Sequence, residues 1–322
     1  RRPVRAPQGQ RPLTAAAEAG GLRYRSPAGR WVLLATVLGS GIAFLDTTVV
    51  NVALPTIGQD LDAGIASLQW VVNAYTLTLS GFLLLGGSLG DHYGRRRVFV
   101  LGVIWFATAS LLCGLAPTDE ALIAARALQG VGGALLTPGS LAIIEASFRR
   151  EDRGPAIGAW SGLGGVTAAV GPFLGGWLVQ AASWRFIFLI NLPLAAVVVW
   201  VSVRHVPESR DPGATGRLDW AGAGLAAVGL AGVVYALTDG PVQGWTSPRI
   251  LGAGLVGVAA LVAFVLWERR TAAPMLPLDI FASRQFSAAN AVTFVVYGAL
   301  GGSLFLMPIQ LQRVVGYSPL AS

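Results

Sequence analysis

The chain has 322 residues, 54% of them hydrophobic and only 12% charged, whereas a soluble globular domain carries about 25% charged residues. All 23 basic residues are arginine, which excludes a phosphate-binding loop of the GxxxxGK[ST] type and an energy supply from such a site. The net charge of +7 falls in loops between apolar runs, a membrane pattern rather than a nucleic-acid one.

Residues 1–30 are rich in Arg, Pro, Ala, Gly and Gln without apolar periodicity, and read as a disordered basic tail with no secretory h-region. Nine runs then reach the roughly 20 residues a helix needs to cross a bilayer. They are Trp31–Ala53, Leu68–Gly90, Val98–Pro117, Ala121–Phe148, Gly154–Ala181, Phe186–Val203, Trp220–Leu237, Ile250–Trp267 and Phe286–Leu311. Between the eighth and ninth, LPLDIFASRQF suggests a short amphipathic helix in the membrane interface.

Arginine fixes the expected orientation. With the N-terminus cytoplasmic, 19 arginines lie inside, and Arg185, Arg249 and Arg313 lie outside. The densest cluster is Arg95, Arg96 and Arg97, in the GGSLGDHYGRRR hinge between spans two and three.

Ionisable residues inside a span cost about 2.5–3.5 kcal/mol each and need a reason. Asp46 in span one and Arg126 in span four are both expected roughly 10 Å below the outer boundary, from a rise of ~1.5 Å per residue. Gln129 shares the face of Arg126, three positions on. One reading is a water-accessible site where Asp46 exchanges a proton and Arg126 biases its charge. The other is a structural ion pair between spans one and four. Glu145 is expected to pair with Arg149 at i,i+4. Asn73, Asn191 and Asn290 are expected to bond between helices. Trp70, Trp160 and Phe173 are candidate aromatic cavity lining.

Span five carries Gly158, Gly162, Gly165, Gly171, Gly175 and Gly176, most on one stripe, and Pro172. The stripe offers a close-packing face, and Pro172 a bend or gating hinge. The GVGG run at Gly130 lacks the spacing and the preceding strand of a dinucleotide loop. His92 and His205 are isolated, so no metal site is expected. Cys113 is the single cysteine and closes no intramolecular disulfide. No catalytic constellation stands out, and an enzyme is not expected.

Several stretches resemble the major facilitator superfamily. GGSLGDHYGRRR is similar to its loop signature between helices two and three, and RALQGVGGALLTPGSLAII (Arg126 to Ile144) to its fourth-helix signature. GLGGVTAAVGPFLGGWL (Gly162 to Leu178) resembles the fifth-helix signature of antiporters. LDTTVVNVALPTI and WRFIFLINLP resemble the fourteen-helix drug/proton antiporter branch, the EmrB/QacA type.

The resemblance implies an all-α polytopic membrane protein. Residues 31–203 would form the N-terminal six-helix bundle of 3+3 inverted repeats. Residues 204–285 would hold a cytoplasmic linker, two inserted helices and a following loop. Residues 286–322 would be the first helix of an incomplete C-terminal bundle, whose other five helices have no counterpart here. The implied activity is proton-coupled efflux of small organic molecules by alternating access, with the proton gradient as energy source and no cofactor. Asp46 and Arg126 would couple protons. Gln129, Asn73, Trp70 and Trp160 would be polar or aromatic neighbours of the cavity. Gly86, Gly90, Asp91, Gly94, Arg95 and Arg96 would form a cytoplasmic latch, with Asp91 reaching a helix end in the second bundle. That bundle, in cis or in another chain, is the implied partner, together with a small-molecule substrate, protons and the lipid bilayer of the cell membrane. A metabolite exporter or uniporter of the same fold, and a non-transporting remnant or assembly partner, are the rival expectations.

Overall fold

The computed structural model describes residues 21–211, 218–271 and 274–320. Its helices are α1 (Pro27–Asp60), α2 (Ile65–Tyr93), α3 (Arg95–Gly114), α4 (Asp119–Ser147), α5 (Arg150–Ala181), α6 (Phe186–Leu189), α7 (Asn191–His205), α8 (Trp220–Gln243), α9 (Pro248–Glu268) and α10 (Arg284–Ile309). A π turn, Gln310–Val315, continues α10. Among the described residues, nine helical spans, α6 and α7 counted as one, are long and apolar enough to cross a membrane. The chain is a multi-pass helical membrane protein. Helices suit that solvent because each satisfies its backbone hydrogen bonds internally.

Local sequence sets the helix ends. Ser26 accepts from the Gly29 N–H and Pro27 opens α1, Thr118 accepts from the Ala121 N–H ahead of α4, and Asp219 caps α8. These are the side chains that satisfy orphan N–H groups at a helix start. Gly94 turns α2 into α3 at φ 115°, a conformation glycine adopts without a Cβ clash. Span six is divided at Ile190 because Pro193 cannot donate to the Leu189 carbonyl one turn back.

The bundle has two apolar layers. One, around Val32, Phe99, Ile143, Phe148 and Val198, lies toward the end where α1 begins. The other, around Leu54, Leu68, Leu122, Ile187 and Phe188, lies toward the end where α1 finishes. Helix α8 packs on α2 and α9 packs on α8, so the expected linker segment is seated on the first bundle through α8. The contact is close: a Cβ on Gly81 would stand 3.2 Å from the Ala227 backbone.

Several expectations are corrected. Of the basic tail, residues 1–20 lie outside the described residues. Gly21–Arg30 is ordered: Leu22 forms a β-bridge with Phe148 and α1 starts at Pro27. The LPLDIFASRQF stretch yields a five-residue 3-10 turn, Leu278–Ala282, and its last residues open α10. Five residues of that turn cannot sustain an amphipathic face. Glu145 and Arg149 do not share a helix, because α4 stops at Ser147, and Arg149 turns its Nε to the Gly21 carbonyl at 3.1 Å.

Candidate functional site

Between the two apolar layers sits a closed polar network. Asp46 on α1 and Arg126 on α4 are 0% and 1% exposed. Arg126 Nη1 donates to Asp46 Oδ2 at 2.5 Å and to Gln129 Oε1 at 2.6 Å, and Nε donates to the Val71 carbonyl at 3.0 Å. Asp46 Oδ1 also accepts from Gln129 Nε2 at 2.8 Å and from Asn191 Nδ2 at 3.2 Å. Ser110 Oγ on α3 accepts from both amides, at 2.7 Å from Gln129 and 3.0 Å from Asn191. The guanidinium lies 4.3 Å from the Tyr75 ring centre and 5.8 Å from that of Phe188. A buried charge pair is tolerable when further hydrogen bonds complete its coordination, and five membrane segments supply them here.

The matched depths inferred for the pair hold, since the two side chains meet, but Asp46 lies further from the end of its helix than expected. α1 continues 14 residues past Asp46 to Asp60, about 21 Å at ~1.5 Å per residue. Arg126 stands only seven residues into α4. The two meet because α1 projects further than its apolar run suggests, through Pro55 and the apolar residues around it. In this conformation the pair is sealed from water, so it is an ion pair joining α1 to α4. Asn191 bonds between helices as expected, and its destination is the charge centre. Ser110 and Tyr75 were missed, since one hydroxyl in an apolar run carries no periodic signal. Asn191 Oδ1 and the Tyr75 hydroxyl are buried without a hydrogen-bond partner among the described residues.

Trp70 and Asn73 do not join this centre. Trp70 Nε1 donates to Asp239 Oδ2 at 2.6 Å, and Asn73 Nδ2 to Thr238 Oγ1 at 2.9 Å, both on α8. Their face of α2 is the one that α8 covers. Trp160 Nε1 reaches Ser40 Oγ on α1 at 3.1 Å. Phe173 is 69% exposed.

The hinge is likewise tied within the described bundle. Asp91 pairs with Arg95 at 2.8 Å, one turn along. Arg95 N–H donates to the Ser209 carbonyl, Arg96 Nη1 to the Val206 carbonyl, and Arg96 N–H to Glu208 Oε1. Glu208 Oε2 stands 3.6 Å from both Arg96 and Arg97. Glu208 was missed because it lies in a loop outside any pattern. Gly86 and Gly94 are constrained by contact: a Cβ would meet the Ala134 carbonyl at 2.1 Å and Glu208 at 2.7 Å respectively. Gly90 is buried, but a Cβ there would meet nothing closer than 3.8 Å.

The α5 stripe divides. Gly171 and Gly175 press on Thr48 and Val49 of α1, and Gly176 on the Pro319–Leu320 backbone. A Cβ on Gly158, Gly162 or Gly165 would meet nothing within 4 Å. Pro172 lines a cavity of about 70 Å³ with Asn51 and Pro308.

A helical bundle that buries a carboxylate–guanidinium pair among apolar spans defines the class: a polytopic membrane protein of the transporter kind. The comparisons make it specific. The Major Facilitator Superfamily model matches residues 36–322, and the chain belongs to that family. It is 40% identical over 294 residues to the methylenomycin A resistance protein of Bacillus subtilis (strain 168), covering 91% of this chain and 63% of that protein. It is 39% identical over 290 residues to the puromycin resistance protein of Streptomyces alboniger, covering 90% and 57%. It is 39% identical over 288 residues to the multidrug resistance protein Stp of Mycobacterium tuberculosis (strain CDC 1551 / Oshkosh), covering 89% and 53%. The chain thus spans between half and two thirds of the length of these curated relatives. Among solved structures, a peptide transporter in complex with sulfate superposes with a TM-score of 0.65 at 15% identity, over 95% of this chain and 67% of that one. At that identity the likeness concerns the fold. Family membership places the chain among transporters rather than enzymes.

Proposed function

We propose that this chain provides the first bundle and inserted helix pair of a proton-coupled efflux transporter of the fourteen-helix branch, acting on small hydrophobic organic molecules by alternating access. Its place is the cell membrane, with the N-terminus cytoplasmic. The proton gradient is the energy source. The observation that carries the reading is Asp46, a carboxylate held inside the membrane by Arg126, Gln129 and Asn191. When Asp46 takes a proton, Arg126 loses its counter-charge while keeping the Gln129 and Val71 acceptors. The α1–α4 contact weakens, and a proton taken up on one face is released on the other as substrate leaves. Relatives named for resistance to methylenomycin A, puromycin and several drugs support organic antibiotics as the substrate class.

Two features support the finer assignment. The α8–α9 pair, seated on α2 through α8, fits the inserted helices of the fourteen-helix branch. The open Gly158–Gly162–Gly165 surface fits a second bundle, in cis or from another chain, as its partner. The arginine-rich helix ends share one end of the bundle, where Leu22 meets Phe148 and Arg95 meets Ser209, and the positive-inside rule makes that end cytoplasmic.

The test is puromycin and methylenomycin A extrusion from drug-sensitive cells expressing the transporter, with and without a protonophore. Asp46→Asn abolishes protonophore-sensitive extrusion, and Asp46→Glu retains part of it. Unchanged extrusion in Asp46→Asn sinks the coupling role. Absence of extrusion in the parent protein sinks the efflux reading itself.

A further inference from the structure

A cavity of about 230 Å³ opens at the arginine-rich end of the bundle, where α1 begins, α4 ends and α5 begins. Its polar wall holds Arg149, Arg150, Arg153, His205 and Glu208, and its floor is the buried ring of Phe148. Arg149 and Arg153 each commit one nitrogen, Nε, to a backbone carbonyl, at 3.1 and 3.2 Å. Among the described residues none of the three arginines forms an ion pair with a carboxylate. The cavity's acid, Glu208, is already shared by Arg96 and Arg97. Glu151 and Asp152, next in sequence, do not line it. Positive charge is therefore in surplus within a defined concavity, and guanidinium forks match phosphate oxygens geometrically.

Neighbouring residues set the depth. The His205 ring stacks on Trp31 at 4.4 Å and stands 5.8 Å from Trp200. Tryptophans at the ends of spans mark the headgroup level of a bilayer. The cavity thus combines an anion-binding wall, an apolar floor and a position level with lipid phosphates.

We propose that this cavity binds an anionic phosphate ester through Arg149, Arg150 and Arg153. Two sources share that chemistry, the headgroup of an anionic phospholipid and a free soluble phosphate ester. The site is separate from the Asp46 network, and its occupancy does not depend on the direction or energy source of transport.

The experiment uses the full chain purified in detergent and then placed in nanodiscs of phosphatidylcholine with or without phosphatidylglycerol. Lipid retention is read by native mass spectrometry, and the unfolding midpoint by thermal melting. Phosphatidylglycerol is retained about tenfold or more over phosphatidylcholine, given the strength of arginine attraction to anionic lipid, and it raises the midpoint. Arg150→Gln/Arg153→Gln, both exposed and outside any ion pair, removes the preference. Arg269→Gln/Arg270→Gln, an equal loss of charge elsewhere, leaves it intact. Competition by free glycerol phosphate assigns the soluble source, and its failure to compete assigns the lipid; either supports the site. The proposal is overturned if the Arg150/Arg153 variant keeps both effects, or if the Arg269/Arg270 variant loses them equally, since net surface charge would then suffice.

Discussion

Two arginine–carboxylate clusters stand at different depths of the same bundle. At the centre, Arg126 and Asp46 are fully enclosed and meet at 2.5 Å. At the arginine-rich end, Glu208 is 23% exposed and stands 3.6 Å from Arg96 and Arg97, the latter 65% exposed. The charges are the same and the surroundings reverse their meaning. In the centre, desolvation makes each charge dependent on its partner, so any loss is large and a proton can act as a switch. At the end, water and salt compete, and the cluster holds two segments together with modest, adjustable strength.

That contrast is sharpest in the expected costs. Arg126→Ala leaves Asp46 buried and unpaired and destabilises the bundle by about 3–5 kcal/mol. Adding Asp46→Leu to it recovers most of the loss in thermal melts. If the single change costs under about 1 kcal/mol, the centre is no more demanding than the end, and the comparison breaks. Close helix contact ranks next. Gly86→Ala forces a Cβ against the Ala134 carbonyl and costs about 1–3 kcal/mol. Gly158→Ala and Gly162→Ala, which meet open space, stay within about 0.5 kcal/mol. Trp70→Phe removes the hydrogen bond to Asp239 and costs about 1 kcal/mol, read as easier proteolytic release of the α8–α9 pair. Glu208→Gln costs about 0.2–1 kcal/mol, and the difference from the parent shrinks as salt is raised.

The spans were legible because apolar runs of bilayer length have few alternative folds. Asp46 and Arg126 were legible because a charge in such a run demands a partner, although sequence alone left open whether they exchange protons or simply pair. What failed was facing. Trp70 and Asn73 lie on the same helix as Tyr75, yet they point to α8 while Tyr75 covers Arg126. A helix surrounded on all sides by apolar neighbours shows no polar side from which to read its orientation. Ser110 was hidden for the same reason. Asp91 has a local partner that its motif did not advertise, Arg95 one turn away. The six-residue stretch from Val206 to Asp211, which fastens the hinge, has no periodicity, and its role rests on backbone carbonyls and Glu208 that only folding brings into reach.

The seam between α2 and α8 has a practical consequence. Gly81 against Ala227, Trp70 on Asp239 and Asn73 on Thr238 fasten α8 at three levels along α2. If one bundle rocks against another, α8 and α9 travel with the first. Paired spin labels across α2 and α8 would then report a constant separation through the cycle. They would supply a fixed ruler against which the displacement of every other helix can be measured.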